Sequence, residues 1–409
     1  MQWKEGPVAV LASKVHVALE KHVKGQVNMN KRPYCVRAIV LGIITISTTS
    51  GLFAQTEPPV STSIQPFFYP APPTGFDLVT ASDAELKRYG LPKRPAITSN
   101  LYTAWVNAIR NAKTRLPNPS ARTTNIVHRQ KVTATPASTA TPGAYNISNA
   151  TPDYSGNWSG LIANGSYGFF QADGSEVTIA FQPPYIGNEN CSDAPYMVSL
   201  WGGFDGSSFN GAGQDVLQAG VNVTACSTSY AAWYEWYTPG CTVNSQTQPC
   251  YETDVNLAVH AGDYMYIVVT YNASSPHGTA FIENQTTQQY VTVSFDQPSS
   301  NAPNSTYTGS TVEWIVERPM VDNNLVDLAN YINSNGPSGN QEYLSASYMG
   351  ADGIGWAAGY GPASTLYLEY MLCPPCNPSS ACSTPSQYLS IPTFTNNYLT
   401  TYAYGPAVQ

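Results

Sequence analysis

Short runs of alternating apolar and polar residues recur from about residue 153 onward, separated by clusters of Gly, Asn, Ser and Pro. Residues 177–181, 264–269 and 290–295 are three examples. A period of two indicates strands with one buried face, and frequent turns between short strands are typical of a sandwich. We therefore predict an all-β fold over residues 153–409, a sandwich of two antiparallel sheets of the concanavalin-like or jelly-roll-like kind. Residues 325–332 are instead predicted as a short helix.

Two short helices are predicted earlier in the chain, in a small and partly helical segment. Ser82 and Glu85 form a capping box before a helix that ends at Gly90. Further on, apolar residues recur at helical spacing. These residues are Leu101, Trp105, Ala108, Ile109 and Ala112.

A short apolar run at residues 38–49 follows three basic residues and precedes Leu52-Phe53-Ala54. This layout is that of a secretory signal peptide with a small-residue cleavage site. We assign residues 1–54 to this region and interpret Met29 as the true start. The run is short for a transmembrane helix, so a membrane anchor is the weaker alternative. The expected location is extracellular or periplasmic, without a stable membrane anchor.

Charge is divided unevenly along the chain. Residues 1–131 hold 17 of the 18 Lys and Arg and 6 of the 26 Asp and Glu, whereas Arg318 is the single basic residue after position 131. An acidic domain of this kind argues against a nucleic-acid partner. Its self-repulsion falls in acid as carboxylates are protonated, which favours a domain built for acidic surroundings. An ordinary acidic exported protein is the alternative.

The basic segment 55–131 precedes this acidic domain, with 10 basic and 4 acidic residues. We interpret it as a prosegment that covers the acidic domain by charge attraction and leaves as the carboxylates are protonated. A small independent domain or a linker is the alternative. Residues 132–152 are rich in Thr, Ala, Pro, Ser and Asn, as in a linker, and are the expected region of proteolytic maturation.

Seven of the eight Cys residues lie after the signal region. An exported chain favours disulfides, and the pairs Cys241–Cys250 and Cys191–Cys226 are our two expectations. An odd number leaves at least one thiol free or paired outside the chain. The pairing of the last three Cys residues stays open.

Several familiar catalytic and metal-binding patterns are missing from the sequence. There is no His-Glu-x-x-His, no Asp-Thr-Gly or Asp-Ser-Gly, and only two His residues follow position 131. Cys373-Pro-Pro-Cys376 is a lone match that favours a disulfide over a zinc site. We therefore expect no metal and no organic cofactor, and a Ser-His-Asp triad is not favoured.

Three predicted strands carry polar residues on one face. Gln218 alternates with the apolar residues of 216–223, Glu235 lies between Trp233 and Tyr237, and Glu317 follows residues 312–316. Alternation directs these polar side chains away from the core. A solvated sheet face is one interpretation. The flanking aromatic residues favour the other, a groove that binds a peptide or a glycan.

These strands carry a resemblance to a known family. Five stretches occur in the same order as in the eqolisin, or glutamic-peptidase, family. They are residues 155–160 (SGNWSG), 200–206 (LWGGFDG), 217–221 (LQAGV), 232–237 (AWYEWY) and 312–317 (VEWIVE). The chain is therefore similar to this family of acid endopeptidases over roughly residues 153–320. The resemblance implies a two-sheet sandwich with its active site on a concave sheet face.

The resemblance also implies roles for individual residues. Gln218 and Glu317 match the catalytic Gln and Glu, while Trp201, Asp205 and Glu235 match residues that line the site. A carboxylate at Glu317 can take a proton from water, provided that its pKa is not raised, and the Gln218 amide can donate to the developing oxyanion. The expectation is a secreted, monomeric acid endopeptidase of proteins or peptides, inhibited by its own prosegment. A non-catalytic glycan-binding sandwich, or a glycosidase that uses Glu235, is the alternative.

Overall fold

The regular structure consists mainly of β-strands. In this computed structural model the described residues are 69–99, 101–117, 122–134, 150–165, 170–186, 196–207, 209, 213–225, 227, 229–239, 252–273, 277–296, 307–322, 324–329, 331–332, 343–351, 365–372, 388–395 and 398–403. The helices are α1 (Asp83–Arg88) and α2 (Leu101–Asn111). The strands are β1 (Thr114–Arg115), β2 (Arg122–Thr123), β3 (Ile126–Val127), β4 (Ala150–Ser155), β5 (Trp158–Asn164), β6 (Ser175–Phe181), β7 (Tyr185–Ile186), β8 (Tyr196–Phe204), β9 (Val216–Thr224), β10 (Ser229–Tyr237), β11 (Thr253–Asp254), β12 (Met265–Asn272), β13 (His277–Asn284), β14 (Gln289–Asp296), β15 (Thr311–Glu317), β16 (Met320–Val321), β17 (Asn324–Leu325), β18 (Asp327–Leu328), β19 (Tyr331–Ile332), β20 (Tyr343–Ala351), β21 (Thr365–Leu372), β22 (Tyr388–Thr395) and β23 (Tyr398–Ala403).

Two antiparallel layers form the sandwich. The first, which we call the site sheet, pairs β10, β9, β8, β15, β5 and β21 in that order. The second sheet pairs β20, β6, β12, β13 and β14. Strands β22 and β23 connect the two layers by pairing from β21 to β20. The predicted all-β sandwich of antiparallel sheets is confirmed.

The apolar faces of both layers meet in one core. On the site sheet, Leu217, Val221 and Trp314 point inward, and on the second sheet Ile179 and Ile267 do so. Every second residue of these strands therefore faces the other layer, as the alternation predicted. The polar residues between them are directed to the opposite face of the site sheet.

The predicted capping box and both predicted helices are confirmed. The Ser82 hydroxyl accepts from the Glu85 backbone, and Glu85 accepts from the Ser82 backbone at 2.8 Å. Gly90, at φ +67°, follows the helix as the positive-φ residue that commonly ends one. Both helices pack on the outer face of the second sheet.

The short helix predicted at 325–332 is wrong, because β17, β18 and β19 occupy this stretch. Leu328 pairs with Met197 in a parallel arrangement, which takes the backbone hydrogen bonds that a helix would have used. Tertiary pairing thus overrides the local pattern. The signal region and all Cys residues lie outside the described residues, and so do their predicted cleavage and disulfides. Among the described residues, no helix is both long and apolar enough to cross a membrane.

Candidate active site

Strand pairing brings the polar side chains of Gln218, Glu235 and Glu317 together on the outer face of the site sheet. Glu235 on β10 lies directly opposite Gln218 on β9, and Trp201 on β8 lies opposite Gly220 and Ile315. A Cβ at Gly220 would lie 2.6 Å from the Trp201 Cβ, so this glycine leaves room for the indole. The indole Nε1 then donates to Glu317 Oε2 at 2.8 Å.

Residues 122–131 of the basic segment lie across this face, and His128 is at its centre. The Gln218 side-chain amide donates to the His128 carbonyl oxygen at 2.7 Å. Glu235 Oε2 accepts from the His128 backbone N–H at 2.9 Å and from Gln218 Nε2 at 3.1 Å. The peptide backbone of His128 is therefore held by two of the residues that the sequence singled out.

The imidazole ring of His128 occupies the remaining space. Its Nδ1 lies 3.1 Å from Glu317 Oε2, and its Nε2 lies 2.8 Å from Glu252 Oε2. The ring stacks on Trp233 with 3.7 Å between centroids and 5° between planes. His128, Glu317 and Glu252 have no exposed side-chain surface, so these are ion pairs removed from water.

Contacts on both sides of His128 hold the same segment in the groove. Upstream, Thr124 Oγ1 donates to Glu252 Oε1 at 3.0 Å. Downstream, the Lys131 ammonium pairs with Asp153 and, at 3.0 Å, with Glu369. Strands β2 and β3 add backbone pairing with β11 and β16. The segment is thus bound as an extended peptide along the polar face.

Burial shifts the pKa of Glu317 and of Glu235 in this covered site. It raises the pKa of Glu317, although the His128 ring and the Trp201 donor oppose the shift. Burial likewise raises the pKa of Glu235 well above its ordinary value. For His128 burial favours the neutral ring, but Glu252 and Glu317 outweigh it and raise the pKa to about 10. The unraised pKa expected of a working Glu317 is therefore not found while the segment covers it.

Asp205 and Glu313 do not join the cluster around His128. The Asp205 carboxylate accepts from the backbone N–H groups of Gly309 at 2.8 Å and Ser310 at 2.9 Å, and so orders the start of β15. Burial raises its pKa to about 6, against these backbone donors. Glu313 is fully buried near Asp205, and burial raises its pKa well above the ordinary value.

Sequence reasoning missed His128 and Glu252. His128 belongs to the basic segment, where charge alone suggested attraction to the acidic domain. Glu252 precedes β11, which pairs with Trp233 and Tyr234 of β10. The Trp-Tyr-Glu-Trp-Tyr strand indicates that another strand pairs beside it. The sequence does not show that this partner is the strand that follows Glu252.

Comparison with known proteins identifies the family of this chain. A family model described as Peptidase A4 family matches residues 156–335, which include Gln218, Glu235 and Glu317. Aspergillopepsin-2 of Aspergillus niger is 30% identical over 240 residues, which span 53% of this chain and 71% of that protein. The chain belongs to the peptidase A4 family.

Solved structures show weaker likenesses to this peptidase. Scytalido-glutamic peptidase, crystallised with a peptide-based transition state analog, is 19% identical with a TM-score of 0.40, covering 61% of this chain and 98% of its own. Tailspike protein 2 of Escherichia coli O157:H7 bacteriophage CAB120 is 14% identical with a TM-score of 0.27, covering 54% of this chain and 26% of its own. These scores are too low to bear on the fold, which the strand pairing already establishes.

Family membership makes this chain a glutamic endopeptidase that acts on proteins or peptides. The resemblance noted in the sequence is thereby confirmed. His128 lies before the residues that match the family model. The residue that fills the site thus comes from outside the family-matched part of the chain.

Proposed function

We propose that this peptidase hydrolyses internal peptide bonds by attack of water, with Glu317 as general base and Gln218 as oxyanion donor. One observation carries the proposal: both side chains converge on a single residue of an extended peptide, His128. A substrate bound along the same path has its scissile carbonyl at the Gln218 amide. Such a donor, aimed at the developing negative charge, is what an oxyanion site requires.

The reaction needs one water and no other reactant. Glu317 removes a proton as the water oxygen bonds to the carbonyl carbon, and the Gln218 N–H stabilises the oxyanion. Collapse breaks the C–N bond, and Glu317 returns the proton to the leaving amine nitrogen. Glu235, which accepts from Gln218 Nε2, positions the amide. Trp201 does the same for the Glu317 carboxylate.

The working pH is acidic in this proposal. Residues 132–409 carry 20 Asp and Glu against the single Arg318, and their mutual repulsion falls in acid as carboxylates are protonated. An amide donor does not titrate, so Gln218 works equally well at low pH. A carboxylate must be ionised to act as a base. Water that enters the uncovered site favours the ionised form of Glu317.

The precursor is exported in this proposal. It is inactive because residues 122–131 fill the groove. His128 presents its carbonyl to Gln218 as a substrate does, but its ring takes the place of water at Glu317. The base therefore has no water to activate. This refines the inhibitory segment expected at 55–131, since His128 and Lys131 supply its contacts with the acidic residues of the site.

Opening of the precursor combines acid and cleavage of the chain in this proposal. Glu252 and Glu317 raise the pKa of the docked His128 to about 10, whereas a free His titrates at about 6.5, so docking takes up a proton between these two pH values. By linkage, His128 strengthens docking as the pH falls from about 10 to about 6.5, and its contribution is complete below that range. Protonation of His128 therefore does not release the segment, and we propose that a cut in the linker at residues 132–152 completes maturation as the carboxylates of the site are protonated.

Casein hydrolysis across acidic to neutral pH tests the function. Acid-treated wild-type protein is expected to hydrolyse casein in acid. The Glu317→Gln variant is expected to be inactive. Activity that persists in the variant would contradict the residue assignment. No activity at any pH, from folded and cleaved protein, would instead favour a glycan-binding sandwich.

A further inference from the structure

The outer face of the second sheet is apolar and is covered by the helical part of the basic segment. On the sheet side, the buried residues are Ala180, Tyr266, Val268, Phe281 and Tyr290. On the segment side they include Leu86, Tyr89, Leu91, Trp105, Ala108 and Ile109. Trp105 and Leu86 have no exposed surface at all. This is the packing of a permanent core rather than of a loosely attached cover.

Backbone and side-chain hydrogen bonds join the same two surfaces. Strand β1 extends the second sheet by parallel pairing with β14, and the Leu116 N–H donates to the Tyr290 carbonyl at 2.8 Å. The Lys93 N–H donates to Glu176 at 2.8 Å. The Tyr69 hydroxyl lies 2.9 Å from Thr279 Oγ1. The segment is therefore integrated into the sheet edge as well as into the apolar core.

One ion pair between the same two surfaces is exposed to solvent. The ion pair between Lys87 and Asp173, 2.6 Å long, leaves 58% and 40% of the two side chains exposed. Exposed pairs of this kind contribute little to stability. The contrast with residues 122–131 is clear, because His128 and Lys131 form buried pairs with acidic residues. Residues 69–117 are thus attached through an extensive apolar contact, whereas residues 122–131 are attached through buried ion pairs.

We propose that residues 69–117 stay bound to this face after the precursor is cut and form a noncovalent subunit of the mature peptidase. The proposal rests on the proposed maturation only in that a cut separates the basic segment from the sandwich domain. Residues 122–131, which a cut in the linker leaves joined to residues 69–117, then have to move out of the groove. Removal of residues 69–117 as well would expose Tyr266, Phe281 and Tyr290 together on one sheet face, an apolar patch that soluble proteins avoid.

The test cuts the full chain without using its own activity. A recognition sequence for a site-specific protease is placed between Pro117 and Arg122 in a Glu317→Gln background. After cleavage, gel filtration and mass spectrometry follow the fragment that ends at Pro117, with and without about 1 M NaCl, which screens surface charge almost completely. We expect co-elution under both conditions. Separate elution from a folded, monodisperse remainder would overturn the proposal.

Two matched substitutions locate the attachment. Ile109 is 2% exposed under α2, whereas Ile97 of the same segment is 75% exposed. Ile109→Asp is expected to release the fragment after the cut, and Ile97→Asp is expected to leave it bound. Retention in both variants would refute apolar attachment. The added protease makes the cut, and Glu317 is replaced. A wrong assignment of the catalytic residues therefore does not affect any of these outcomes.

Discussion

The Gln218 side-chain amide and the backbone carbonyl oxygen of His128 are joined by a hydrogen bond of 2.7 Å. The donor is the residue that the family resemblance marks as the oxyanion stabiliser. The acceptor is a peptide carbonyl of the same chain, held where a substrate carbonyl is expected. In the precursor that we propose, this bond holds a peptide in the groove, and the His128 ring on Glu317 is the proposed reason why that peptide is not cut.

Replacing His128 in the precursor tests this explanation. His128→Ala removes the ring from Glu317 and from Glu252, and leaves buried carboxylates without their cation. We expect the precursor to hydrolyse casein in acid before maturation, or to cut itself within residues 122–134. Initial rates and mass spectrometry of freshly acidified protein measure both outcomes.

His260 supplies the control for this experiment. Its side chain is 74% exposed and pairs with Asp263 at the surface. The His260→Ala precursor is expected to be as inactive on casein as the wild-type precursor. A silent His128→Ala precursor, from protein that becomes active once it is matured externally, would show that another residue inhibits.

Glu317→Gln keeps the shape of the side chain and removes the proposed base. General-base catalysis contributes about 10²–10⁴-fold, so a loss of kcat in that range is expected from externally matured protein. Glu313→Gln is the matched control, because Glu313 lies on the same strand but its carboxyl oxygens form no hydrogen bond with His128, Gln218 or Glu235 in the described part of the chain. It should retain most activity. Equal losses in the two variants would point to a structural effect.

Gln218→Leu removes the proposed oxyanion donor. Loss of one such donor lowers kcat by about 10²–10³-fold, and a smaller change in KM is expected because the charge develops after binding. Gln182→Leu changes an exposed glutamine and should leave kcat unaltered. A Gln218→Leu enzyme that loses only affinity would mean that the amide binds substrate without stabilising the transition state.

The stability of the fold is expected to fall as pH rises, in part through Glu283. Burial raises its pKa to about 9, whereas an unfolded Glu titrates at about 4.3. Between these values the folded state binds more protons than the unfolded state, so the free energy of unfolding decreases with pH. Thermal melts in a Glu317→Gln background, from acid to mild alkali, should show a shallower decline once Glu283→Gln is added. An unchanged decline would mean that Glu283 is ionised in the folded protein.

The local pattern predicted much of this molecule correctly. Alternation along β9, β10 and β15 gave the direction of Gln218, Glu235 and Glu317, because a strand has only two faces. The capping box and the spacing of Leu101 to Ala112 gave both helices. These features depend on residues within about one turn or a few strand positions, so neighbouring residues are enough to define them.

Contacts between distant parts of the chain were decided by the tertiary structure. His128 and Glu317 are 189 residues apart, and His128 and Glu252 are 124 apart. Charge suggested that the basic segment meets the acidic domain, but charge attraction is not directional and selects no partner. Only the folded sheets bring β9, β10 and β15 side by side under His128, and only they turn the Asp205 carboxylate to the backbone of residues 309–310. Residue types and strand faces are local properties of a sequence, whereas the occupant of a groove depends on packing between layers.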